Sequence, residues 1–291
     1  MTLPSEKAPT APQAPTRPLA LRIRVPPVTR LLPGGGRALR KTGAVPAPSY
    51  DRVVVRVLAV SDEVDNALVA DPTAVRGAQL ILACGDLPFE YLGSLMNALD
   101  VPLVFVPGNH DPDLSGYRSS RAGLTLRAGM PARQPWPDGA VNADGRVVEA
   151  AGLRVAGLGG CLRYRDGPNQ YTDRQQARRA RVLRARARWR TQRDGREVDL
   201  LLTHAPPRGV GDGDDRPHRG FTALHRLTAA LRPAALLHGH VHPYGAQLEP
   251  SRLGHTLVCN VTGWHLLDIV PGSGVAELLH SARDRGHRDA R

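Results

Sequence analysis

Short apolar runs alternate with polar loops along the chain after residue 50. Val53–Val60 is a nearly continuous run of β-branched and aliphatic residues, which is typical of a strand buried on both faces. Gln79–Ala83 and Pro102–Val106 repeat this pattern, and Phe89–Leu99 between them carries apolar residues at helical spacing. The order strand, loop, helix, strand predicts an α/β fold.

The second half of the chain continues the same alternation. Val147–Glu149 and Leu153–Leu158 flank Ala151-Gly152, which predicts a hairpin. Thr172–Arg193 predicts a long helix because alanine and arginine favour helices and no proline interrupts the segment. The remaining predictions are a helix at Thr222–Leu231 and strands at Asp199–Thr203, Ala234–Leu237, Thr256–Asn260 and Leu266–Val270, and we expect the last two strands to pair with each other.

The two ends of the chain differ from its middle in composition and hydrophobic pattern. Residues 1–49 contain ten prolines and a Gly34-Gly35-Gly36 run, which excludes long helices and central strands. We therefore predict a largely disordered basic tail at 1–49, with a short strand at Leu21–Val25, a folded domain at 50–280 and a polar tail at 281–291. The basic tail is either passive or an arm for nucleic acid or lipid.

Composition excludes several classes of protein. No apolar stretch approaches the roughly 20 residues of a membrane span, and no apolar signal core of about 7–15 residues occurs near the start. Three cysteines, an odd number, argue against a disulfide framework and for a reducing compartment. We expect a cytoplasmic protein that buries its core without disulfides.

The net charge is +12, from 39 basic and 27 acidic residues. Lys7 and Lys41 are the only lysines, and the excess of arginine, alanine, glycine and proline is typical of a GC-rich bacterium. A basic surface attracts anions, so phosphorylated substrates and nucleic acid are the expected classes of partner.

Five predicted strands each end in a residue able to bind a metal. The candidate ligands are Asp62, Asp86, Asn109, His204, His240 and His242. Because ligands bind at the carboxyl ends of strands in α/β sheets, we expect these side chains to converge. Oxygen and imidazole donors without thiolate suit Mn, Fe, Zn or similar divalent ions, and a two-metal centre bridged by Asp86 suits water attack on phosphorus.

Four motifs follow these apolar runs in order: Gly85-Asp86, Gly108-Asn109-His110-Asp111, Thr203-His204 and Gly239-His240-Val241-His242. On these motifs, residues 52–270 resemble the calcineurin-like metallophosphoesterases. The segment from Thr203 to Gly245 resembles bacterial and animal members tied to hydrolysis of nucleotide phosphodiesters.

The resemblance implies a four-layer α/β/β/α sandwich with mixed sheets and one or two divalent metal ions, with Mn²⁺ favoured and Fe, Zn or Mg left open. It implies a first metal on Asp62, Asp86 and His242, and a second on Asp86, Asn109, His204 and His240. His110 would lie beside the scissile phosphate and assist the leaving oxygen, and Asp111 would orient its imidazole.

The chain departs from the family at the first motif, where Asp62-Glu63-Val64-Asp65 replaces the usual Asp-x-His. Valine cannot ligate a metal. Either Glu63 or Asp65 substitutes, or both carboxylates face solvent or cap the next helix. The first ion then binds weakly, or a harder ion such as Mn²⁺ or Mg²⁺ is favoured, or the protein holds a single metal.

The predicted long helix is rich in arginine. Thr172–Arg196 contains ten arginines around a narrow apolar stripe of Ala180, Leu183 and Ala187. It is either a solvated outer helix or a surface for nucleic acid or anionic membrane. Trp189 is the only aromatic residue of the helix, so stacking surfaces for bases are scarce.

These features predict a metal-dependent phosphoesterase, more specifically a phosphodiesterase acting on a nucleotide-type phosphodiester by attack of activated water. Three alternatives stay open. One is a nuclease that binds a polymer through residues 173–196. Another is a degenerate protein that keeps one metal and binds a nucleotide. The third is a nucleic-acid-binding module whose affinity for a polymer survives EDTA and falls steeply with salt. The sequence does not indicate an oligomeric state.

Overall fold

The computed structural model describes residues 53–119, 124–242 and 249–282. The helices are α1 (Asn66–Ala70), α2 (Phe89–Leu99), α3 (Asp173–Asp194) and α4 (Thr222–Leu231), with a 3₁₀ turn at Pro72–Val75. The strands are β1 (Val55–Ser61), β2 (Leu80–Ala83), β3 (Leu103–Phe105), β4 (Tyr117–Ser119), β5 (Thr125–Arg127), β6 (Met130–Pro131), β7 (Val141–Asn142), β8 (Val147–Ala150), β9 (Leu153–Leu158), β10 (Cys161–Leu162), β11 (Gln170–Tyr171), β12 (Leu200–Thr203), β13 (Ala235–His238), β14 (Ser251–Leu253), β15 (Thr256–Asn260), β16 (Gly263–Val270) and β17 (Val275–Ser281).

Some predicted segments lie outside the described residues. These are the basic tail at 1–49 with its strand at Leu21–Val25, and residues 283–291 of the polar tail. The division of the chain at residues 49 and 281 therefore stays a prediction, although Ser281 itself is the last residue of β17 rather than the start of a tail.

Two six-stranded mixed sheets form the body of the fold. The first has the order β17-β16-β1-β2-β3-β7, and the second has the order β14-β15-β13-β12-β9-β8. In each sheet four neighbouring strands run parallel, namely β1, β2, β3 and β7 in the first and β15, β13, β12 and β9 in the second. The antiparallel strands lie at one margin of the first sheet and at both margins of the second, so the ends of the parallel strands lie side by side in each sheet.

The sheets pack face to face and helices cover their outer faces. The inner core joins side chains of both sheets, including Val57, Leu82, Val104, Val155, Leu202 and Leu237. Helices α1 and α2 cover the outer face of the first sheet, and α3 and α4 cover that of the second. This arrangement confirms the predicted four-layer α/β/β/α sandwich with mixed sheets.

The predicted pairing of the last two strands is wrong. Thr256–Asn260 pairs with β13 and β14 in the second sheet, whereas Gly263–Val270 pairs with β1 and β17 in the first. The short link between them crosses from one sheet to the other, and Thr262 forms a bridge with Ser61 at the end of β1. Strands that follow each other closely usually pair, and here the chain uses the link to join the two sheets instead.

Both ends of helix α3 carry residues that are typical of helix caps. Thr172 and Gln175 form a capping box, and Gly195 ends the helix in the left-handed conformation. The buried residues are Gln176, Ala180, Leu183 and Ala187, so the predicted stripe of Ala180, Leu183 and Ala187 is confirmed. The helix thus rests on the second sheet through small and medium side chains.

Two of the predictions made from composition concern disulfides and membrane-spanning segments. Cys84, Cys161 and Cys259 are all buried and unbonded to one another. Among the described residues, no helix is both long and apolar enough to cross a membrane.

Candidate metal centre

The polar residues predicted to be ligands lie where parallel strands of both sheets end. Three of them adopt the left-handed backbone conformation, with φ of 60° at Asp62, 57° at Asp86 and 69° at His240. Asp and His tolerate this conformation better than most residues. The chain can therefore leave the strand abruptly and still carry a ligating side chain at the turn.

Asp86, His204 and His240 form a compact cluster whose ligand atoms all lie within 4.8 Å of one another. Asp86 follows β2 of the first sheet, and the two histidines follow β12 and β13 of the second. The His204 and His240 rings lie 4.7 Å apart between centroids. The cluster therefore spans the two sheets.

His204 is fully buried and is held in one orientation. Its Nδ1 donates to the carbonyl oxygen of Cys84 at 2.7 Å. Its Nε2 then faces the cluster, 3.0 Å from Oδ1 of Asn109 and 3.3 Å from Oδ2 of Asp86. Burial lowers the pKa of His204, but the Asp86 carboxylate outweighs it and raises the pKa to about 9. Burial raises the pKa of Asp86, but His204 outweighs it and brings the pKa to about 2.

His240 presents its other ring nitrogen to the cluster. Its Nε2 donates to the carbonyl oxygen of Pro217 at 2.8 Å, which leaves Nδ1 as the atom available to an ion. Burial and the neighbouring His204 lower the pKa of His240 to about 3, so this imidazole is neutral at physiological pH.

Asn109 is buried, and both ends of its amide are engaged. Its Oδ1 faces His204, and its Nδ2 donates to the hydroxyl of Tyr164 at 3.3 Å. This pair of contacts places the amide oxygen, which is the ligating atom, toward the cluster. Sequence reasoning did not assign Tyr164 a role.

Asp62 and His242 lie beside the cluster. Asp62 accepts from the backbone N–H of His240 at 2.9 Å, and burial raises its pKa. His242 is half-buried, with Nδ1 3.3 Å from the Oε1 atom of Glu63. Glu63 is thus the carboxylate that meets His242, while the side chain of Val64 is 43% exposed.

Asp65 takes the capping role that was one of the two expectations for it. Its Oδ1 accepts from the backbone N–H of Ala67 at the start of α1, and its Oδ2 accepts from Nε1 of Trp264, both at 2.9 Å. The carboxylate is engaged in the fold on both oxygens, so Asp65 does not replace the missing histidine.

His110 and Asp111 behave differently from each other. His110 is exposed, and its backbone N–H donates to Oδ1 of Asp86 at 2.8 Å. Asp111 was expected to orient the His110 imidazole, but its Oδ2 accepts instead from the backbone N–H groups of Gly108 and Asp86, at 2.7 and 3.0 Å. Asp111 therefore ties two strand-end loops together, and a catalytic role for either residue stays a prediction.

The donor set fits a divalent cation. Carboxylate oxygen, amide oxygen and imidazole nitrogen converge without thiolate, as suits Mn, Fe or Zn. Two glycines leave room for the candidate ligands. A Cβ at Gly108 would overlap the Asp86 carboxylate, and one at Gly239 would overlap Ser61 and Asp62.

Comparison with known proteins agrees with this geometry. Residues 60–244 match the family model for calcineurin-like phosphoesterases, a stretch that includes all six predicted ligands. The chain belongs to the calcineurin-like phosphoesterase family. Membership in this family, together with the cluster of ligands, identifies a metal-dependent phosphoesterase, which is a hydrolase.

Two solved structures are similar to this chain at low sequence identity. The protein TT1561 of Thermus thermophilus is 18% identical with a TM-score of 0.50, and the match covers 78% of this chain and 99% of that one. The sulfate thiohydrolase SoxB of Thermus thermophilus is 16% identical with a TM-score of 0.37, over 77% of this chain and 45% of that one. No curated protein sequence matches the chain.

Proposed function

We propose that the protein is a divalent-metal-dependent phosphodiesterase that hydrolyses a nucleotide-type phosphodiester in the bacterial cytoplasm. The observation that carries the proposal is the cluster of Asp86, His204 and His240, with the Asn109 amide oxygen turned toward it. Mn²⁺ is the preferred ion. Val64 contributes no imidazole to the first metal position, so the ligands expected there are mostly oxygen atoms.

The ligating atoms divide into two groups around Asp86. Asn109, His204 and His240 would hold one ion with Asp86, and Asp62 and His242 would hold a second. When bound, divalent ions supply Lewis acidity toward the phosphoryl oxygens and activate water as the nucleophile. His204 donates to the carbonyl oxygen of Cys84 and His240 to that of Pro217, and these two bonds would fix which ring nitrogen of each histidine binds the ion.

His110 is the residue proposed to act on the substrate itself. It is exposed at the rim, and its backbone bond to Asp86 places it next to the cluster. As the oxygen of water forms a bond to phosphorus, the water would release a proton to solvent, the ester P–O bond would break, and His110 would donate a proton to the leaving oxygen. Asp111 would contribute by holding the loops of Asp86 and Gly108 in register.

Two sequence features favour a nucleotide-type diester. The segment from Thr203 to Gly245 resembles family members tied to nucleotide phosphodiesters, although residues 243–248 lie outside the described part of the chain. The net charge of +12 favours anionic substrates.

The test is hydrolysis of bis-p-nitrophenyl phosphate by protein stripped with EDTA and reloaded with Mn²⁺. p-Nitrophenyl phosphate serves as the matching monoester. Asn109→Ala and His110→Ala are the site variants, and His280→Ala, an exposed histidine of β17, is the matched control. We expect turnover of the diester that needs metal, persists in the control and falls at least roughly 100-fold in both site variants.

Two outcomes would contradict the proposal. Faster hydrolysis of the monoester would make the protein a phosphomonoesterase. Absence of turnover, with about one ion held per chain, would favour the one-metal nucleotide-binding protein, an alternative that the loss of a ligand at Val64 supports.

A further inference from the structure

Helix α3 has two sides of opposite character. On the side that faces β7 and β8, its arginines are bound to the fold. Arg179 binds Asp144 through two bonds of 2.6 Å and also donates to the carbonyl oxygen of Gly159. Arg186 donates to the carbonyl oxygen of Gly145. These arginines are structural.

On the side that faces α4, the arginines line an open groove of about 920 Å³. The basic residues of the groove are Arg174, Arg178, Arg181, Arg184 and Arg226, and all five are exposed. Within the described residues, none of the five has a hydrogen bond or ion pair. Asp173 is the one acidic residue of the lining, and it lies 3.6 Å from Arg208.

The groove therefore carries five positive charges that the fold does not neutralise. Like charges at helical spacing repel one another and favour occupation by a polyanion. From Arg174 to Arg184 the helix advances about 15 Å, so a single phosphate would reach only part of the row. The spread of charge fits a ligand with repeated phosphates.

The groove begins at the edge of the sheet that carries the metal cluster. Helix α3 starts just after the loop that brings Tyr164 to Asn109, and α4 starts just after the loop that brings Pro217 to His240. Arg174 and Thr222 lie in the first turns of these helices, so a chain bound in the groove would have one end near the cluster.

The side chains that line the groove favour some anionic partners over others. Its floor is made of small and aliphatic side chains, including Ala177, Ala223 and Leu227, and it holds no aromatic residue for base stacking. Membrane binding needs large apolar side chains beside the basic ones, and the exposed apolar residues of α3, Val182 and Trp189, do not line the groove. Proteins that bind single strands combine a basic groove with aromatic stacking platforms, and this groove supplies only the first, so its contacts with a strand would be to the backbone.

We propose that this arginine groove between α3 and α4 binds the sugar-phosphate backbone of single-stranded nucleic acid without regard to base sequence. Guanidinium groups pair with phosphate through two bonds, which suits arginine rather than lysine in this role. The metal centre is not required for the binding, so the groove stands apart from the proposed hydrolysis.

The test measures fluorescence anisotropy of a labelled oligothymidylate of about 20 nucleotides with the full chain, in EDTA and across a salt series. The groove variant is R178E/R181E/R226E. The matched control is R76E/R118E/R133E, which makes the same change of charge at exposed arginines of the α1, β4 and β6 regions. Thermal unfolding of both variants checks that each is folded.

We expect the groove variant to bind at least about tenfold more weakly at low salt, and the slope of log affinity against log salt to fall by about 2, since each lost single-strand phosphate contact removes about 0.7. The control should lose less than about twofold. Equal losses in both variants would overturn the proposal by assigning binding to net charge. Undetectable binding of the parent chain at low salt would overturn it as well.

Two further probes address other partners. Equally tight, groove-dependent binding of a duplex of the same length would overturn the assignment to single strands. Vesicles of phosphatidylcholine with phosphatidylserine form the membrane arm, and groove-dependent binding to vesicles without oligonucleotide binding would assign the groove to lipid. Because all arms run in EDTA, failure of the proposed hydrolysis would not affect them.

Discussion

The Tyr164 hydroxyl is one of the two contacts that orient the Asn109 amide, the other being His204. Tyr164 accepts the amide N–H at 3.3 Å, so the oxygen is left for the ion. Tyr164→Phe keeps the ring and removes this bond, which frees the amide to rotate. Removing such a partner of a ligand typically costs roughly 10–100-fold in metal affinity, and we expect a loss of about tenfold for Mn²⁺ by titration calorimetry.

Tyr117→Phe is the matched control, because Tyr117 packs against Trp136 away from the cluster. If Tyr164→Phe binds Mn²⁺ as tightly as this control does, the orientation of Asn109 does not depend on the hydroxyl.

Glu63 is the residue that we expect to compensate for Val64. Its carboxylate lies 3.3 Å from Nδ1 of His242, beside the half of the site where the histidine is missing. Glu63→Gln removes the negative charge with little change in shape. We predict that the weaker of two Mn²⁺ binding events is lost or weakened at least about tenfold, while the tighter event is retained.

Glu90→Gln, an exposed carboxylate at the start of α2, controls for net charge. Unchanged binding of both ions in Glu63→Gln would show that Glu63 only pairs with His242.

The positions of the candidate ligands could be predicted because each follows an apolar run directly. Asp86, Asn109, His204 and His240 therefore come together as expected. Their orientation could not be predicted, because it depends on the carbonyl oxygens of Cys84 and Pro217, which long-range loop packing brings into place. The same holds for Asp111, whose partners are backbone N–H groups that no side-chain pattern reveals.

At the scale of elements, the two sides of α3 predict that substitutions at neighbouring positions change the free energy of unfolding by different amounts. Arg179 binds Asp144 and stacks over Tyr171 at 3.9 Å, with its side chain 21% exposed. We expect Arg179→Ala to lower the free energy of unfolding by about 1–3 kcal/mol, because the bidentate pair is lost. Arg178→Ala, on the groove side, should change it by less than about 0.5 kcal/mol. Urea denaturation of the two variants measures both values, and equal effects would contradict the division of the helix.

Helices with clear apolar spacing were predictable to the residue, as α2 and α4 show. Strands of the parallel core were predictable within two residues, because continuous apolar runs have few alternatives, except for β7, which has only two residues and was missed. The small sheet of β4, β5 and β6 was missed, since its strands are two or three residues long and mostly exposed. Strand β17 was also missed, because its mixed exposure carries little apolar signal.

At the scale of the whole molecule, the metal centre joins the two sheets. Asp62, Asp86 and Asn109 follow strands of the first sheet, and the three histidine ligands follow strands of the second. An ion bound there links both halves of the sandwich in the folded state and has no equivalent site in the unfolded chain. Saturating Mn²⁺ at about 100 times its dissociation constant stabilises by about 2.7 kcal/mol.

We therefore predict that Mn²⁺ raises the melting temperature of EDTA-stripped protein by roughly 5–10 °C. Differential scanning calorimetry measures the shift. In Asn109→Ala the shift should shrink to less than about half, since one ligand is gone. An equal shift in this variant would place the stabilising ion elsewhere.

The left-handed backbone at Asp62, Asp86 and His240 has an evolutionary consequence. A non-glycine residue in this conformation costs about 1–2 kcal/mol, and glycine would remove that cost. Mutation toward glycine at these turns would relax the backbone and abolish a ligand in one step. Glycine at Asp62 or Asp86 would also leave the backbone N–H of His240 or His110 without its carboxylate acceptor. Relief of backbone strain is therefore offset by lost hydrogen bonds, which opposes drift toward glycine at these turns.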